Sequence, residues 1–196
     1  MKARIKIGTR QEFETAELAQ MHRLRAKVFR DRMGWDVAIL SGMEIDGYDA
    51  LSPHYLLVRG TSNELRGCMR VLPTEGPYML KDTFPELLYG QTAPENPRVW
   101  ELSRFAIESD AGERFAFGAQ ALDAMREIVN FADRMGIASY IAVTTTSVER
   151  LLKRTGIDMS RFGPPMRIGA ENAVALTIEM SKQTHHALFD QVAKAA

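Results

Sequence analysis

The chain has 196 residues, 45% of them apolar, which is enough for an ordinary hydrophobic core, and we expect one domain covering residues 1–196. Its 25 basic and 25 acidic residues balance, so no global field attracts nucleic acid or an anionic membrane. The single cysteine, Cys68, excludes an intramolecular disulfide framework and a multi-cysteine metal cage. The chain starts without a continuous apolar run, and no segment approaches the roughly 20 apolar residues of a membrane span. We therefore expect a cytoplasmic protein with neither a membrane nor a nucleic acid as partner.

The first half of the chain alternates between strand and helix patterns. A strand is predicted at residues 4–8, and apolar residues at helical spacing predict a helix from about residue 14 to 30. The segments 55–59 and 65–72 are rich in strand-forming residues and are separated by a turn, so they predict a hairpin. A further strand is predicted at residues 99–107.

The second half begins with the clearest helical repeat, from residue 117 to residue 135, where Gly136 ends it. The remaining predicted elements are a strand at 140–143, a helix at 147–155 that Gly156 ends, strands at 167–168 and 174–180, and a closing helix at 182–192. This order predicts an α/β fold with a mixed central β-sheet and helices on both faces.

Charged residues stand at two places in the first half where the pattern favours apolar ones. Arg25 lies on the apolar stripe of the first helix, so either its charge has a buried partner or its side chain reaches solvent from the edge of the stripe. The loop that follows brings Glu44, Asp46 and Asp49 close together in sequence. A solvated acidic loop is the alternative to a functional one, and the spacing does not fit a calcium loop.

Two further charged features lie on predicted strands. Arg70 shares the face of its strand with apolar neighbours, and Glu101 and Arg104 both fall within VWELSRFAI. Strand alternation places Glu101 and Ser103 on one face and Arg104 on the other. These charges either neutralise each other in a structural network or, together with the acidic loop and Arg25, form a site that suits a zwitterionic, cationic ligand.

Two aromatic residues, Trp35 and Phe84, lie in predicted loops, where each either caps the core or stacks on a ligand. The four histidines have no metal-ligand spacing, and the chain contains neither a phosphate-binding loop nor a dinucleotide-binding fingerprint. We therefore expect no metal site.

Five segments look like the acyl-homoserine lactone synthases of the LuxI type, which are bacterial quorum-sensing enzymes: RLRAKVFRDRMGW, MEIDGYDALSPHY, GCMRVLPTEGPYML, TFPELL and VWELSRFAI. The resemblance is dense over residues 20–107 and extends more loosely to SRFGPPMRIG, and the chain resembles in particular the LasI-like branch of the family. The hallmark positions of the family fall on Arg25, Phe29, Trp35, Glu44, Asp46, Asp49, Arg70, Phe84, Glu101 and Arg104.

The resemblance implies a three-layer α/β/α fold similar to that of the GNAT N-acetyltransferases. It also implies a reaction between acyl-acyl carrier protein and S-adenosylmethionine, which are both substrates, so that no separate cofactor is expected. In this reaction Glu101 is the candidate general base for the amine, directly or through water. Backbone donors near Ser103 and Arg104 are candidates for stabilising the oxyanion. Closure of the lactone ring then releases methylthioadenosine.

The implied binding residues form two groups. Those that bind S-adenosylmethionine or organise its site are Arg25, Phe29, Trp35, Glu44, Asp46, Asp49, Arg70, Phe84, Phe105, Thr144 and Thr145. Those that line the acyl pocket are Met79, Leu102, Phe105, Leu122, Met125, Ala142, Val143, Leu151 and Leu152, and plain core packing is the alternative for each of them.

Ala142 bears on the kind of acyl chain. In the resembling family a threonine at this strand position often goes with a 3-oxo chain, because its hydroxyl reaches the substituent. Alanine has no such donor, so we expect a medium to long chain that is unsubstituted or 3-hydroxylated, although the LasI-like branch is known for 3-oxo products.

Three cations share the polar side of the predicted helix at 147–155. Arg150, Lys153 and Arg154 form a basic patch that suits an acidic carrier protein, and a solvated helix face is the alternative.

Two other functions remain open from the residues. An acetyl-CoA N-acetyltransferase would carry a pyrophosphate loop before its central helix, but in residues 114–119 the glycine stands one position late. A regulator that binds S-adenosylmethionine without consuming it would use the same charged site and release no methylthioadenosine.

Overall fold

A computed structural model describes residues 4–108 and 118–190 of the chain. Its strands are β1 (Arg4–Thr9), β2 (Ile39–Leu40), β3 (Met43–Glu44), β4 (His54–Arg59), β5 (Leu65–Pro73), β6 (Val99–Ile107), β7 (Ser139–Thr145), β8 (Met159–Arg161), β9 (Met166–Ile168) and β10 (Glu171–Glu179). Its α-helices are α1 (Thr15–Arg25), α2 (Met79–Asp82), α3 (Ala119–Met135), α4 (Thr146–Thr155) and α5 (Lys182–His185). Wider π-type turns continue α1 and α5 over Ala26–Arg32 and His186–Asp190, and 3₁₀ turns cover Arg10–Glu12, Gly47–Ala50 and Pro85–Leu88.

The predicted elements are all present, and β6 has the predicted bounds. The structure adds β2, β3, β8, α2 and the 3₁₀ turns, which are too short to show a periodicity in the sequence. The predicted helix start at residue 117, most of the loop at residues 114–119 and the predicted helix end at residue 192 lie outside the described residues. Within the described ranges, no helix has the length and apolar character that crossing a membrane would require.

The chain divides into two compact units, and the prediction of one domain over residues 1–196 stays a prediction. The first unit comprises Met1–Val71 with Arg104–Ala124, and the second comprises Leu72–Ser103 with Met125–Ala196.

In the first unit, β4 pairs antiparallel with β1 on one side and with β5 on the other. Gly67 lets β5 come close to the end of β6, since a Cβ atom there would lie 2.9 Å from Ile107 and 3.1 Å from the carbonyl oxygen of Ala106. Helix α1 buries Leu18, Met21 and Leu24 in a core shared with the strands. Because Arg25 follows directly on this stripe, it is directed into the same interior.

In the second unit, β6 pairs parallel with β7, and β7 pairs antiparallel with β10, which also pairs with β8 and β9. Because β7 has a parallel neighbour on one side and an antiparallel neighbour on the other, the predicted mixed sheet of an α/β fold is confirmed. Helix α4 begins where the hydroxyl of Thr145 accepts from the backbone N–H of Val148 at 3.4 Å, and it ends at Gly156, which has a φ of 82°.

Candidate active site

The acidic loop of the first unit is folded so that its carboxylates point inward. Glu44 ends the β2–β3 hairpin and is fully buried. Asp46 accepts from the backbone N–H of Tyr48 at 3.0 Å, and Asp49 accepts from the backbone N–H of Asp46 at 2.9 Å. This reciprocal cap fixes the 3₁₀ turn at Gly47–Ala50, so the predicted alternative of a solvated loop does not apply to Glu44 and Asp49.

Arg25 meets these carboxylates from the end of α1. Its side chain is 1% exposed, so it does not reach solvent from the edge of the stripe. Its Nη1 and Nη2 donate to the two oxygens of Asp49 at 2.8 and 3.0 Å, and its Nε donates to Glu44. This fork of parallel bonds is the geometry that an arginine makes with a carboxylate and a lysine does not.

Arg70 and Arg104 complete the cluster from β5 and β6. Arg70 donates to both oxygens of Asp46, at 2.5 and 3.0 Å, and to Asp49 at 3.0 Å. Arg104 donates to Glu44 through Nε at 3.1 Å and lies 2.9 Å from Asp46 through Nη2. We call these six residues the ion cluster: Arg25, Glu44, Asp46, Asp49, Arg70 and Arg104.

The backbone of Arg104 is unusual, because its φ of +54° lies in the left-handed region that residues other than glycine rarely adopt. Its carbonyl oxygen faces the thiol of Cys68 at 3.8 Å. Strain of about 1–3 kcal/mol persists at such a position only where the surroundings fix it. Here the bonds of its guanidinium to Glu44 and Asp46 are part of what fixes it.

The ion cluster has three cations and three carboxylates, and its charges balance. Burial acts to raise the pKa of Asp49, but the bonds and charge of Arg25 and the charge of Arg70 hold that pKa well below its ordinary value of 3.8. Burial likewise acts to lower the pKa of Arg25, but Asp49 and Glu44 raise it. Asp49 and Arg25 are therefore both ionised at neutral pH.

One end of the ion cluster is open to solvent. The side chains of Asp46 and Arg104 are 16% and 10% exposed, whereas those of Arg25 and Arg70 are enclosed. Phe29 stacks on Trp35 with ring centroids 5.2 Å apart, and the guanidinium of Arg104 lies 5.5 Å from the Phe29 ring. The open end thus offers a carboxylate and a guanidinium beside an aromatic stack in which Phe29 is buried and Trp35 is half-buried. These groups suit an ammonium, a carboxylate and a sulfonium or flat ring.

Glu101 is buried in the second unit, where it holds the start of α2. Its two oxygens accept from the backbone N–H groups of Met79 and Leu80 at 3.0 and 2.7 Å. Such N–H groups have no partner inside their own helix, and their bonds favour the ionised carboxylate. Of the four carboxylates predicted to converge, three therefore belong to the ion cluster of the first unit, while Glu101 belongs to the second.

The other predicted ligand-binding residues have varied surroundings. Phe84 is half-buried against the core of the second unit, and Thr145 caps α4 with its hydroxyl. Thr144 lies opposite Val174 in the β7–β10 pair. Ser103 and Phe105 are half-buried on β6. For these five residues a binding role stays a prediction.

The predicted acyl-pocket residues are mostly enclosed by the protein itself. The buried ones are Met79, Leu102, Met125, Ala142 and Leu152, and the half-buried ones are Phe105, Leu122, Val143 and Leu151. Val143 packs against the core of the second unit. Core packing therefore accounts for the burial of these side chains, and their contact with an acyl chain stays a prediction.

The predicted docking patch is only partly free. Arg150 and Arg154 are exposed, but Lys153 lies 2.8 Å from Glu149, which also accepts from Arg161 at 2.6 and 2.5 Å. Glu149 and Arg161 were not predicted from the sequence. We call Glu149, Lys153 and Arg161 the surface triad.

Two tyrosines around the ion cluster were also missed. The hydroxyl of Tyr55 donates to Asp49 at 2.9 Å, and the guanidinium of Arg70 lies 5.4 Å from the ring of Tyr48. The available signal was the predicted hairpin, which makes Tyr55 a neighbour of β5. Across residues 4–108 and 118–190, no group of three or more potential ligands could hold a metal ion.

Comparison with known proteins identifies the family. Residues 9–188 match the autoinducer synthase family. An acyl-homoserine-lactone synthase of Pseudomonas aeruginosa is 50% identical over 190 residues, which cover 96% of this chain and 94% of the relative. The crystal structure of the acyl-homoserine lactone synthase LasI superposes with a TM-score of 0.90 at 49% identity, covering 96% of this chain and 95% of that one.

More distant structures mark the breadth of the fold. The CoA-dependent acyl-homoserine lactone synthase BjaI, solved with S-adenosylmethionine and isopentyl-CoA, gives a TM-score of 0.87 at 27% identity, covering 98% of this chain and 90% of that one. A protein described as an N-acetyltransferase from Lactobacillus plantarum shares the fold at 14% identity, with a TM-score of 0.61 over 90% of this chain and 99% of that one. The GNAT-like fold is thereby confirmed.

These matches cover nearly the whole chain and agree with the resemblance seen in its motifs. The chain therefore belongs to the autoinducer synthase family. It is an acyltransferase of the acyl-homoserine-lactone synthase class, which makes a quorum-sensing signal.

Proposed function

We propose that the chain transfers an acyl group from acyl-acyl carrier protein to the amine of S-adenosylmethionine and then closes the lactone with release of methylthioadenosine. The observation that carries this proposal is the open end of the ion cluster, where Asp46, Arg104 and the Phe29–Trp35 stack lie together. The complex of BjaI with S-adenosylmethionine supports the choice of ligand.

Each part of S-adenosylmethionine has a matching group at this open end. Arg104 is suited to the carboxylate, Asp46 to the ammonium, and the aromatic stack to the sulfonium and adenosine. The enclosed residues Arg25, Glu44, Asp49 and Arg70 hold Asp46 and Arg104 in place before the ligand arrives. Positioning of this kind supplies rate when two substrates must meet at attack distance.

The acylation step needs a base, because the α-ammonium must lose a proton before its nitrogen attacks the thioester carbonyl. We assign this role to Glu101, directly or through water, since the N–H groups of Met79 and Leu80 fix the positions of its two carboxyl oxygens. The C–N bond forms, backbone donors near Ser103 and Arg104 stabilise the oxyanion, and the C–S bond breaks as the thiol leaves with a proton.

Lactone closure is intramolecular. An oxygen of the acylated ligand's carboxylate attacks the γ-carbon, the carbon–sulfur bond of the sulfonium breaks, and methylthioadenosine leaves as a neutral thioether. No protein nucleophile is needed. Ion-cluster residues that orient the carboxylate therefore serve this step as well.

We propose that the acyl chain is medium to long and unsubstituted or 3-hydroxylated. Ala142 lies on β7 opposite Leu102 of β6 and Leu176 of β10, so its methyl group is buried among apolar neighbours. No hydroxyl at this position is available to bind a 3-oxo group. The proposed pocket walls are Met79, Leu102, Phe105, Leu122, Met125, Ala142, Val143, Leu151 and Leu152.

We propose that the acyl donor docks on α4 as a carrier protein. Arg150 and Arg154 are exposed there, and the surface triad adds two cations to one carboxylate. An excess of positive charge on one face steers an acidic partner. The relation to a CoA-dependent synthase makes acyl-CoA the competing donor.

The first test is mass spectrometry of reactions that contain the protein, S-adenosylmethionine and matched acyl donors. The donors are carrier protein and CoA, each charged with unsubstituted, 3-hydroxy and 3-oxo chains. We expect an acyl-homoserine lactone with an equal amount of methylthioadenosine, formed fastest from an unsubstituted or 3-hydroxy carrier protein. Faster turnover of CoA or 3-oxo donors would overturn the donor or the chain assignment separately. Binding of S-adenosylmethionine without methylthioadenosine would indicate the regulator.

The role of Glu101 is tested by Glu101→Gln. The amide keeps the shape but cannot take the proton, and it can accept from only one of the N–H groups of Met79 and Leu80, so kcat should fall by roughly 100-fold or more. Glu127→Gln is the control, because Glu127 is a carboxylate of the second unit that pairs with Arg134 at 2.8 Å outside the proposed site, and its loss should leave kcat within about twofold. Unchanged turnover in Glu101→Gln would remove Glu101 from the mechanism.

A further inference from the structure

Tyr55 touches the ion cluster from its enclosed side. The residue lies on β4 directly opposite Arg70 of β5 and is 2% exposed. Its hydroxyl donates to Oδ1 of Asp49 at 2.9 Å. Cross-strand partners share a face of a sheet, so Tyr55 and Arg70 approach the same carboxylate together.

Asp49 is occupied entirely by the protein's own donors. Its Oδ1 accepts from Arg25 at 2.8 Å, from Arg70 at 3.0 Å and from Tyr55, and its Oδ2 accepts from Arg25 at 3.0 Å and from the backbone of Asp46 at 2.9 Å. A carboxylate offers about four lone-pair sites. Asp49 therefore acts inside the cluster, where it sets the positions of its partners.

The phenol of Tyr55 is a fixed donor. Burial, together with the charge of Asp49 and its acceptance of the hydrogen bond, raises the pKa of Tyr55 above its ordinary value of 10.0. The hydroxyl therefore keeps its proton at neutral pH and donates to Asp49.

A chain of contacts joins this hydroxyl to the open end of the cluster. Nη1 of Arg70 bridges Oδ1 of Asp49 and Oδ1 of Asp46, at 3.0 and 2.5 Å. Asp46 in turn lies 2.9 Å from Arg104. Without the Tyr55 hydroxyl, Asp49 would have one donor fewer and would attract Arg70 more strongly. Arg70 would then move toward Asp49 and away from Asp46.

We propose that Tyr55 is a positioning residue for the amino-acid part of S-adenosylmethionine, acting through Asp49 and Arg70 on Asp46 and Arg104. This inference rests on the proposed assignment of the ion cluster to that substrate. It goes beyond that assignment because Tyr55 itself touches no ligand.

The test compares Tyr55→Phe with Tyr140→Phe. Tyr140 is a second fully buried tyrosine whose hydroxyl donates to a carbonyl oxygen, that of Ile128, at 3.1 Å. We expect Tyr55→Phe to raise the KM for S-adenosylmethionine about tenfold, because Asp46 and Arg104 are then held less well for the ligand, while kcat falls by less than the KM rises and the KM for the acyl donor changes less than about twofold. Tyr140→Phe should leave all three parameters unchanged.

Direct binding separates positioning from general damage. Methylthioadenosine lacks the amino-acid part, so calorimetry should show weaker binding of S-adenosylmethionine and unchanged binding of methylthioadenosine in Tyr55→Phe. The inference would be overturned if both ligands bound equally more weakly, if the KM were unchanged, or if the variant did not fold. The hydroxyl would then be assigned to fold stability. Asp46→Asn tests the underlying site: if it too leaves the KM unchanged, the assignment of the ion cluster fails, and if it raises the KM while Tyr55→Phe does not, only the inference fails.

Discussion

The ion cluster and the surface triad contain the same kinds of ion pair but differ in their exposure to water. In both, arginine forks bind a buried carboxylate: Arg25 on Asp49 in the first unit and Arg161 on Glu149 in the second. The side chain of Arg25 is 1% exposed, whereas those of Arg161 and Lys153 are 35% and 54% exposed. Water screens the surface triad, so equal geometry there does not give equal energy.

This difference in exposure indicates which function each network of ion pairs is suited to. A network that is mostly enclosed holds its members rigidly, and removal of one member leaves a buried charge with too few partners. A network at the surface can exchange its partners for water or for another protein at little cost. The first is suited to orienting a small ligand, and the second is suited to docking.

The largest expected effect is on folding. Arg25→Met keeps much of the side-chain volume but leaves Asp49 and Glu44 without their main partner, and it should lower the free energy of unfolding by about 3–5 kcal/mol. Urea unfolding followed by circular dichroism measures this. A loss below about 1 kcal/mol would show that solvent reaches the cluster and would erase the contrast with the surface triad.

Acid should separate the two regions next. The pKa of Asp49 is lowered on folding, so its contribution to stability is complete above its ordinary value of 3.8 and is lost as the pH falls below that value. The pKa of Glu149 is also lowered, first by its bond from Arg161, and its smaller contribution fades below its ordinary value of 4.5. Unfolding free energies measured from pH 3.8 down to about pH 2, the range in which Asp49 loses its contribution, should fall almost as steeply in Glu149→Gln as in the parent protein. A flat profile in Glu149→Gln would place the acid sensitivity in the surface triad.

The smallest effect is expected at the surface. Arg161→Met should lower the free energy of unfolding by about 1 kcal/mol, because water replaces much of what the guanidinium gives Glu149. Lys153→Met, which removes the more exposed partner, should cost less than about 0.5 kcal/mol. A cost for Arg161→Met that equals that of Arg25→Met would mean that burial of the carboxylate alone sets the energy.

Much of the fold was predictable because its longer elements have a clear period. The strand at Val99–Ile107 is rich in β-branched and aromatic residues, and α3 repeats apolar residues over several turns. By contrast, α2 has four residues and β2 and β3 have two each, so their formation depends on contacts such as those of Glu101 and Glu44.

The site was predictable in its residue types and not in its partners. Arg25 stood out as a charge on an apolar stripe, but whether it met solvent or a carboxylate depended on the fold. The cross-strand partner of Tyr55 could not be predicted because the hairpin contains a β-bulge. The register shifts between Val58 and Arg59, which brings Tyr55 opposite Arg70. An uninterrupted hairpin would have paired Tyr55 with Met69.

The left-handed backbone of Arg104 has a consequence for anyone who redesigns this enzyme. Judged by conformation alone, glycine is the residue of choice for a φ of +54°. A design method that minimises backbone strain would therefore tend to replace Arg104 with glycine and report a gain in stability. The resulting protein would have an easier strand but no guanidinium to meet Glu44 and Asp46. At this position, the strained backbone of a residue other than glycine indicates that its side chain has a function.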